Sequence, residues 1–329
     1  MTACPITRRS ALAGLTCAGL WPAAQAFAQS YPTRPIRWFV GYPAGGGTDV
    51  LARLLAGGMS SQLGQQFIIE NRPGAATNLA AGEAARAEPD GYTVFTAGIE
   101  TLVFNPALYK KIPFNYEKDF RPIGLTARFH LVLTVKLDSP STTAKDLVAR
   151  AKASPGTINY ASPGIGSPHH LAMERLMHDA GAKLSHVPYR GMAPVINDLL
   201  GGVVEAAIVD FAAGGSVLRA GKLRPLAVCS AQRLEGLPDV PTVNEALGLK
   251  NFEAYSWQGL VAPAKTPDPI ATKLTETLAI TLRQPEIIGR MKEIGLDPLS
   301  GGPAEFEALL KSEREVWWPV IRDLGISLD

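Results

Sequence analysis

The segment Pro43-Ala44-Gly45-Gly46-Gly47-Thr48-Asp49 joins an apolar run, Ile36 to Gly41, to an amphipathic pattern that begins near Val50. A strand that turns through three glycines into a helix aims backbone N–H groups, and the helix's positive end, at one spot in space. Thr48 or Asp49 is expected to cap that helix, and Gly45, Gly46 and Gly47 are expected to take unusual dihedrals as backbone donors. The product is a site for a small anion. A helix terminus contributes only about 0.3–1 kcal/mol at a wet surface and up to about 2 when partly buried. Micromolar affinity needs roughly −8 kcal/mol, so a second wall is required.

A second unit of the same kind follows about 120 residues later, Ala161-Ser162-Pro163-Gly164-Ile165-Gly166-Ser167-Pro168-His169-His170. It comes after a strand-like run, Thr157 to Tyr160, and before a helical pattern, Leu171 to Asp179. Two such units point to two lobes presenting helix N-termini to one cleft. Strand and helix patterns alternate along most of the chain, which implies α/β architecture with parallel strands. Strands are predicted at 36–42, 67–70, 93–97, 158–160, 205–209 and 225–228, and helices at 50–63, 76–87, 144–153, 167–179, 193–200 and 270–283. The apolar runs Pro122–Val135 and Tyr255–Ala262 read as crossings between lobes. Lobe 1 is then residues 31–127 plus 253–329, and lobe 2 residues 128–252. Two crossings make a hinge.

Residues 1–28 read as an export signal, with Arg8 and Arg9 as its charged part, Ser10–Leu20 as its apolar part and Ala26-Phe27-Ala28 as the cleavage site. The apolar stretch is short of the roughly 20 residues that span a bilayer. The compartment is the periplasm on this reading, and the arginine pair leaves general or twin-arginine export open. Cleavage leaves Cys229 alone of three cysteines, so no internal disulfide is expected and a large core must supply stability. A net charge of +2 with no basic stripe argues against nucleic acid as a partner.

The chain resembles the Bug family, the periplasmic solute-binding receptors of tripartite tricarboxylate transporters. The resemblance rests on Tyr31-Pro32 through Arg37, Tyr42 to Asp49, Glu70-Asn-Arg-Pro-Gly74, Pro89-Asp-Gly-Tyr92, Gly164-Ile-Gly-Ser167 with His170, His186-Val-Pro-Tyr-Arg-Gly191, Leu237-Pro-Asp-Val-Pro-Thr242 and Gly259-Leu-Val-Ala-Pro263. They occur in order over essentially the whole mature chain. The resemblance implies a two-lobed, periplasmic-binding-protein-like (type II) clam shell with a two-strand hinge. It also implies a small carboxylate in the inter-lobe cleft, handed to membrane permease subunits, with no cofactor, no metal and no catalysis. A monomer is expected. By the same resemblance Tyr42, Pro43, Ala44, Gly45, Gly46, Gly47, Thr48 and Asp49 form the first-lobe loop, with Thr96 and Ala97 beside it. Gly164, Ile165, Gly166, Ser167 and His170 form the second-lobe loop, with Tyr189, Arg190 and Asp210 nearby. The sequence departs from the family pattern at Asp210-Phe211-Ala212-Ala213-Gly214 and at Phe129-His130.

Competing readings attach to several of these residues. His170, Glu174 and His178 stand at i, i+4 and i+8, a spacing that can hold metal, but the stripe rotates and nothing completes a ligand set. Asp210 is either a partner for ligand or a cap on the next helix, and Arg190 either grips a carboxylate or faces solvent. Ser162 and Ser167 with His169 or His170 invite a hydrolase reading, without the G-x-S-x-G elbow that would support it. Phe129, Phe211 and Trp257 lean the ligand toward a planar acid. Trp317-Trp318 reads as packing in the last helix, or else as a permease-docking surface. An enzyme on the same fold, or a ligand-sensing partner of a membrane sensor kinase, remains the alternative to transport.

Overall fold

In the computed structural model, residues 31–328 are described; the signal-peptide reading of 1–28 lies outside them. Ten strands are present among the described residues: β1 Ile36–Val40, β2 Phe67–Asn71, β3 Thr93–Gly98, β4 Phe120–Lys136, β5 Asn159–Ser162, β6 Ser185–Pro188, β7 Ala206–Asp210, β8 Leu223–Val228, β9 Tyr255–Pro263 and β10 Leu296–Pro298. The two runs read as crossings are the two longest, β4 and β9. All six strands predicted outside them are found, and β6 and β10 come in addition.

β1 shows why this order forms. Ile36, Trp38 and Val40 project into one apolar cluster and Phe39 into another, so the strand is covered on both faces. Strands of that kind pair in parallel with helices above and below. β1 lies between β2 and β3, parallel to both. The helix Gly47–Leu63 returns Leu51, Leu55 and Met59, at helical spacing, onto the Trp38 side. β9 then adds antiparallel to β3, and β4 antiparallel to β9.

β4 carries the chain from one half of the sheet to the other. Residues 120–130 pair with β9, and 127–129 also with β10. From Leu131 onward the same strand is flanked by β7 and β8, and β7 continues through parallel pairings to β5 and then β6. The return path is equally tight: Cys229 N donates to Leu131 O, and Ala254 N donates to Cys229 O. Cys229, the free thiol among the described residues, is buried at this junction.

The last helix, Pro303–Asp323, closes over the first half of the sheet. Trp317 meets Phe104 edge-on at 5.0 Å, and the Trp318 indole N–H donates to Val103 O at 2.9 Å. Both tryptophans are therefore engaged in packing. No described helix is long and apolar enough to cross a membrane.

Candidate functional site

The first loop is fastened from within. Gly46 is the N-cap, with extended backbone, and the helix starts at Gly47, so Thr48 and Asp49 sit inside its first turn and the cap comes from neither side chain. Of Gly45, Gly46 and Gly47 only Gly45 has a positive φ, +80°. Asp49 instead accepts from Gly45 N, Arg53 Nε and Asn71 Nδ2 at 2.9–3.0 Å. Burial pushes its carboxyl up, but those donors, Arg53 foremost, outweigh it and hold it below the usual range. Asp49 thus fixes the loop's shape and leaves the helix N-terminal amides without a side-chain cap.

The second loop does have one. Ser167 Oγ accepts from His170 N at 3.2 Å, and His170 Nδ1 accepts from Gly166 N at 3.2 Å. Gly164 and Gly166 hold φ of +154° and +80°. Behind them Tyr160, His186 and His170 stack at 4.8 and 4.1 Å between successive rings. Burial holds His170 down to about 3, aided by its neighbour His186, and holds His186 down to about 4. Both rings are neutral at physiological pH. Ser162, fully buried, lies 2.7 Å from His186 Nε2 and 3.0 Å from Gly164 O, a loop-shaping position. Among the described residues no group of three His, Cys, Asp or Glu could hold a metal.

The loops meet through Asp210. It ends β7 beside Leu131 and caps the helix Phe211–Arg219, accepting from Ala213 N at 2.8 Å. Its other oxygen lies 3.3 Å from His169 Nε2. A Cβ built on Gly47 would stand 3.1 Å from Phe129 Cε1, 3.4 Å from Ala212 Cβ and 3.5 Å from Asp210 Oδ1. Gly191 approaches Pro43 in the same way, at 3.8 Å. On the far side of the second loop, a Cβ on Gly166 would meet Leu108 and Leu328, both at 2.9 Å. Two glycine loops far apart in sequence thus both border Asp210, the first through Gly47 and the second through His169.

The remaining predicted residues occupy varied places. Thr96 is buried in β3, its hydroxyl accepting from the Trp38 indole at 2.7 Å, and Ala97 beside it is fully buried. Ile165 is 46% exposed at the tip of its loop. Tyr189 donates to Asp198 at 2.6 Å, and Arg190 is exposed. Phe129, Phe211 and Trp257 are all buried, which removes the basis for favouring a planar ligand. A surface hollow of about 450 Å³, lined by Lys136, Leu137, Leu200 and Lys222 among others, shares no residue with either loop.

Glu100 and Gln258 were not singled out from sequence. Glu100 is 5% exposed and accepts from the Tyr42 hydroxyl at 2.6 Å; Gln258 is 3% exposed and donates to Thr48 Oγ1 at 3.5 Å. A signal for Glu100 existed, since it is the lone charge in the run Phe95–Phe104.

Residues 51–326 match the family described as "Tripartite tricarboxylate transporter family receptor". The chain belongs to that family. Solved structures similar to this tripartite tricarboxylate receptor include Rpa4515 of R. palustris with adipate, 35% identical, covering 90% of this chain and 99% of that one at a TM-score of 0.86. The periplasmic binding protein BugD is 34% identical over 90% of this chain and 99% of its own, at 0.84. MatC from Rhodopseudomonas palustris, with bound malate, is 30% identical over 88% and 100%, at 0.82. The fold of this receptor is accordingly the two-lobed α/β fold of periplasmic binding proteins, its halves joined through β4 and β9.

Burial pushes the Glu100 carboxyl up to about 7, against the Tyr42 hydrogen bond, which pulls it down. Its folded value exceeds its unfolded one, so the native state binds this proton more tightly. Stability conferred by that proton is complete below about pH 4.5 and is lost as pH rises toward 7. Glu100→Gln is therefore expected to raise unfolding free energy by about 3 kcal/mol at pH 8 and to change it little at pH 4.5. Urea unfolding at the two pH values checks this, and equal effects at both would refute it.

Proposed function

We propose that this chain is a periplasmic, non-enzymatic receptor that closes two lobes on a small organic acid and delivers it to membrane permease subunits. The observation that carries the reading is Asp210, which stands beside Gly47 at one glycine-loop helix start and beside His169 at the other, and so supports a cleft between them. The adipate and malate in two related proteins support a carboxylate of similar size. Ligand contacts are assigned to the loops 42–49 and 164–170, with Tyr189, Arg190 and Asp210 at their edge. Lobes dividing near residues 128 and 253 are supported by the exchange of β4's partners between His130 and Leu131. Removal of residues 1–28 on export completes the proposal, and N-terminal sequencing of the secreted protein tests that step.

Each helix start supplies about 1 kcal/mol, and each charge-assisted hydrogen bond roughly 1.5–3, so both loops together reach micromolar affinity where one does not. At a hundredfold excess over its dissociation constant a ligand stabilises the fold by about 2.7 kcal/mol. A thermal-shift screen of organic acids, including adipate and malate, is expected to give a shift that survives chelator, and scattering with that acid a smaller radius of gyration. A response to metal salts alone, or to no acid, overturns the reading. Tight binding without compaction would place the site in one lobe.

A further inference from the structure

Tyr42 opens the first glycine loop, half-buried, and its hydroxyl reaches back to Glu100 Oε2 at 2.6 Å. Glu100 begins the π-helical turn Glu100–Phe104 that follows β3, a kind of turn common at functional sites. Among the described residues no cation pairs with it. The charges nearby are committed elsewhere. Asp49 is matched by Arg53; Arg314 turns to Leu102 O and Glu117; Glu313 accepts from Tyr255; Asp210 faces His169. Beside the turn, Thr77 and Thr101 hydroxyls pair with each other at 2.7 Å.

Gln258 of β9 completes the cluster. Its amide nitrogen reaches Thr48 Oγ1 in the first turn of the loop's helix, and it also lies in hydrogen-bond contact with Tyr42. Its Oε1 is buried without a donor, 2.6 Å from where a Cβ on Gly98 would stand. Thr48, Gln258, Tyr42 and Glu100 thus form a continuous path from the loop to a buried acid. With Glu100 ionised, a full charge is buried with the Tyr42 phenol as its donor; with Glu100 neutral, that hydrogen bond is kept without a buried charge.

We propose that Glu100 is a positioning residue that couples capture of a carboxylate at the 42–49 loop to the uptake of one proton. The inference rests on the reading of the cleft as a carboxylate site. An anion at the loop adds negative charge on one side of Tyr42, and an ionised Glu100 would add another on the opposite side, away from water. Binding therefore favours the neutral acid, and by reciprocity the neutral acid favours binding. Burial places the acid's titration near pH 7, where this coupling is felt.

Titration calorimetry with adipate and with malate, at pH 6 and pH 8 and in two buffers of different ionisation enthalpy, tests the coupling on the unaltered protein. Uptake of about half a proton per ligand at pH 7, approaching one at pH 8, is expected, with a Kd about tenfold weaker at pH 8 than at pH 6. Glu100→Gln is expected to keep the tight pH 6 value at both, and it also corrects for the ligand's own ionisation. Tyr42→Phe, which cuts the path, should likewise flatten the profile. Binding with no proton uptake and no change in Kd, or a pH profile that Glu100→Gln leaves intact, overturns the coupling and leaves the receptor reading standing. No binding of either acid at either pH overturns both.

Discussion

Gly47→Val is expected to weaken acid binding at least a hundredfold, about 2.7 kcal/mol, while the ligand-free protein keeps its secondary structure. Gly47 is where the first loop comes against the Asp210 end of β7, and a first side-chain carbon would already stand 3.1 Å from the Phe129 ring and 3.5 Å from Asp210 Oδ1. The branches of valine extend further and hold the lobes apart. Gly47 also begins a helix with ordinary dihedrals, so the substitution leaves the backbone unstrained. Gly46→Val is the matched control. Its backbone is extended, φ −76°, and the nearest foreign atom to an added Cβ is Pro43 O at 3.5 Å, so its cost should be much smaller. Calorimetry, circular dichroism and scattering on the pair decide the matter. Equal losses in both would return the effect to loop stiffness, and retained binding in Gly47→Val would remove the cleft from this place.

The largest effect on stability is expected at Phe306. Its ring is fully buried, meets Trp257 edge-on at 5.6 Å, and lies over Gly259, where an added Cβ would come within 2.3 Å of it. Neither partner can swing in to fill the space, because both belong to β9, held between β3 and β4. Phe306→Ala should therefore cost about 3–5 kcal/mol, a large share of the roughly 5–15 kcal/mol typical of a whole domain. Guanidinium unfolding measures it. A loss under about 1 kcal/mol would mean that the last helix collapses onto β9 after all.

Much of this fold is legible in the residues because its strands are short apolar runs set between glycine and proline turns. β6, Ser185–Pro188, escapes such reading because it is a half-exposed edge strand carrying serine, histidine and proline, and β10 because so short a strand holds no periodicity. The helix Phe211–Arg219 is hidden by Gly214 and Gly215 in its centre, residues that weaken a helix in isolation. They are tolerated because Gly214 packs against Val209 and Gly215 against Phe211. At the site, the glycine loops announce themselves through composition. The contacts that give individual residues their roles do not. Asp49 looks like a helix cap until Asn71 and Arg53 are seen to occupy it, and Glu100 meets Tyr42 across 58 residues of sequence and Gln258 meets Thr48 across 210.

β4 serves two sheets with one uninterrupted backbone, and this sets the order in which the chain can be completed as its residues become available from the N-terminus onward. The partners of its C-terminal part, β7 and β8, lie at 206–228, and the whole second half is one contiguous stretch. The partners of its N-terminal part, β9 and β10, lie at 255–263 and 296–298, and the helix that covers them ends at Asp323. The half that appears first must therefore wait for the last stretch of the polypeptide before its sheet can close, whereas the half that appears second can close at once. Nor can the halves be made separately. A cut on either side of β4 takes a central strand from one of them.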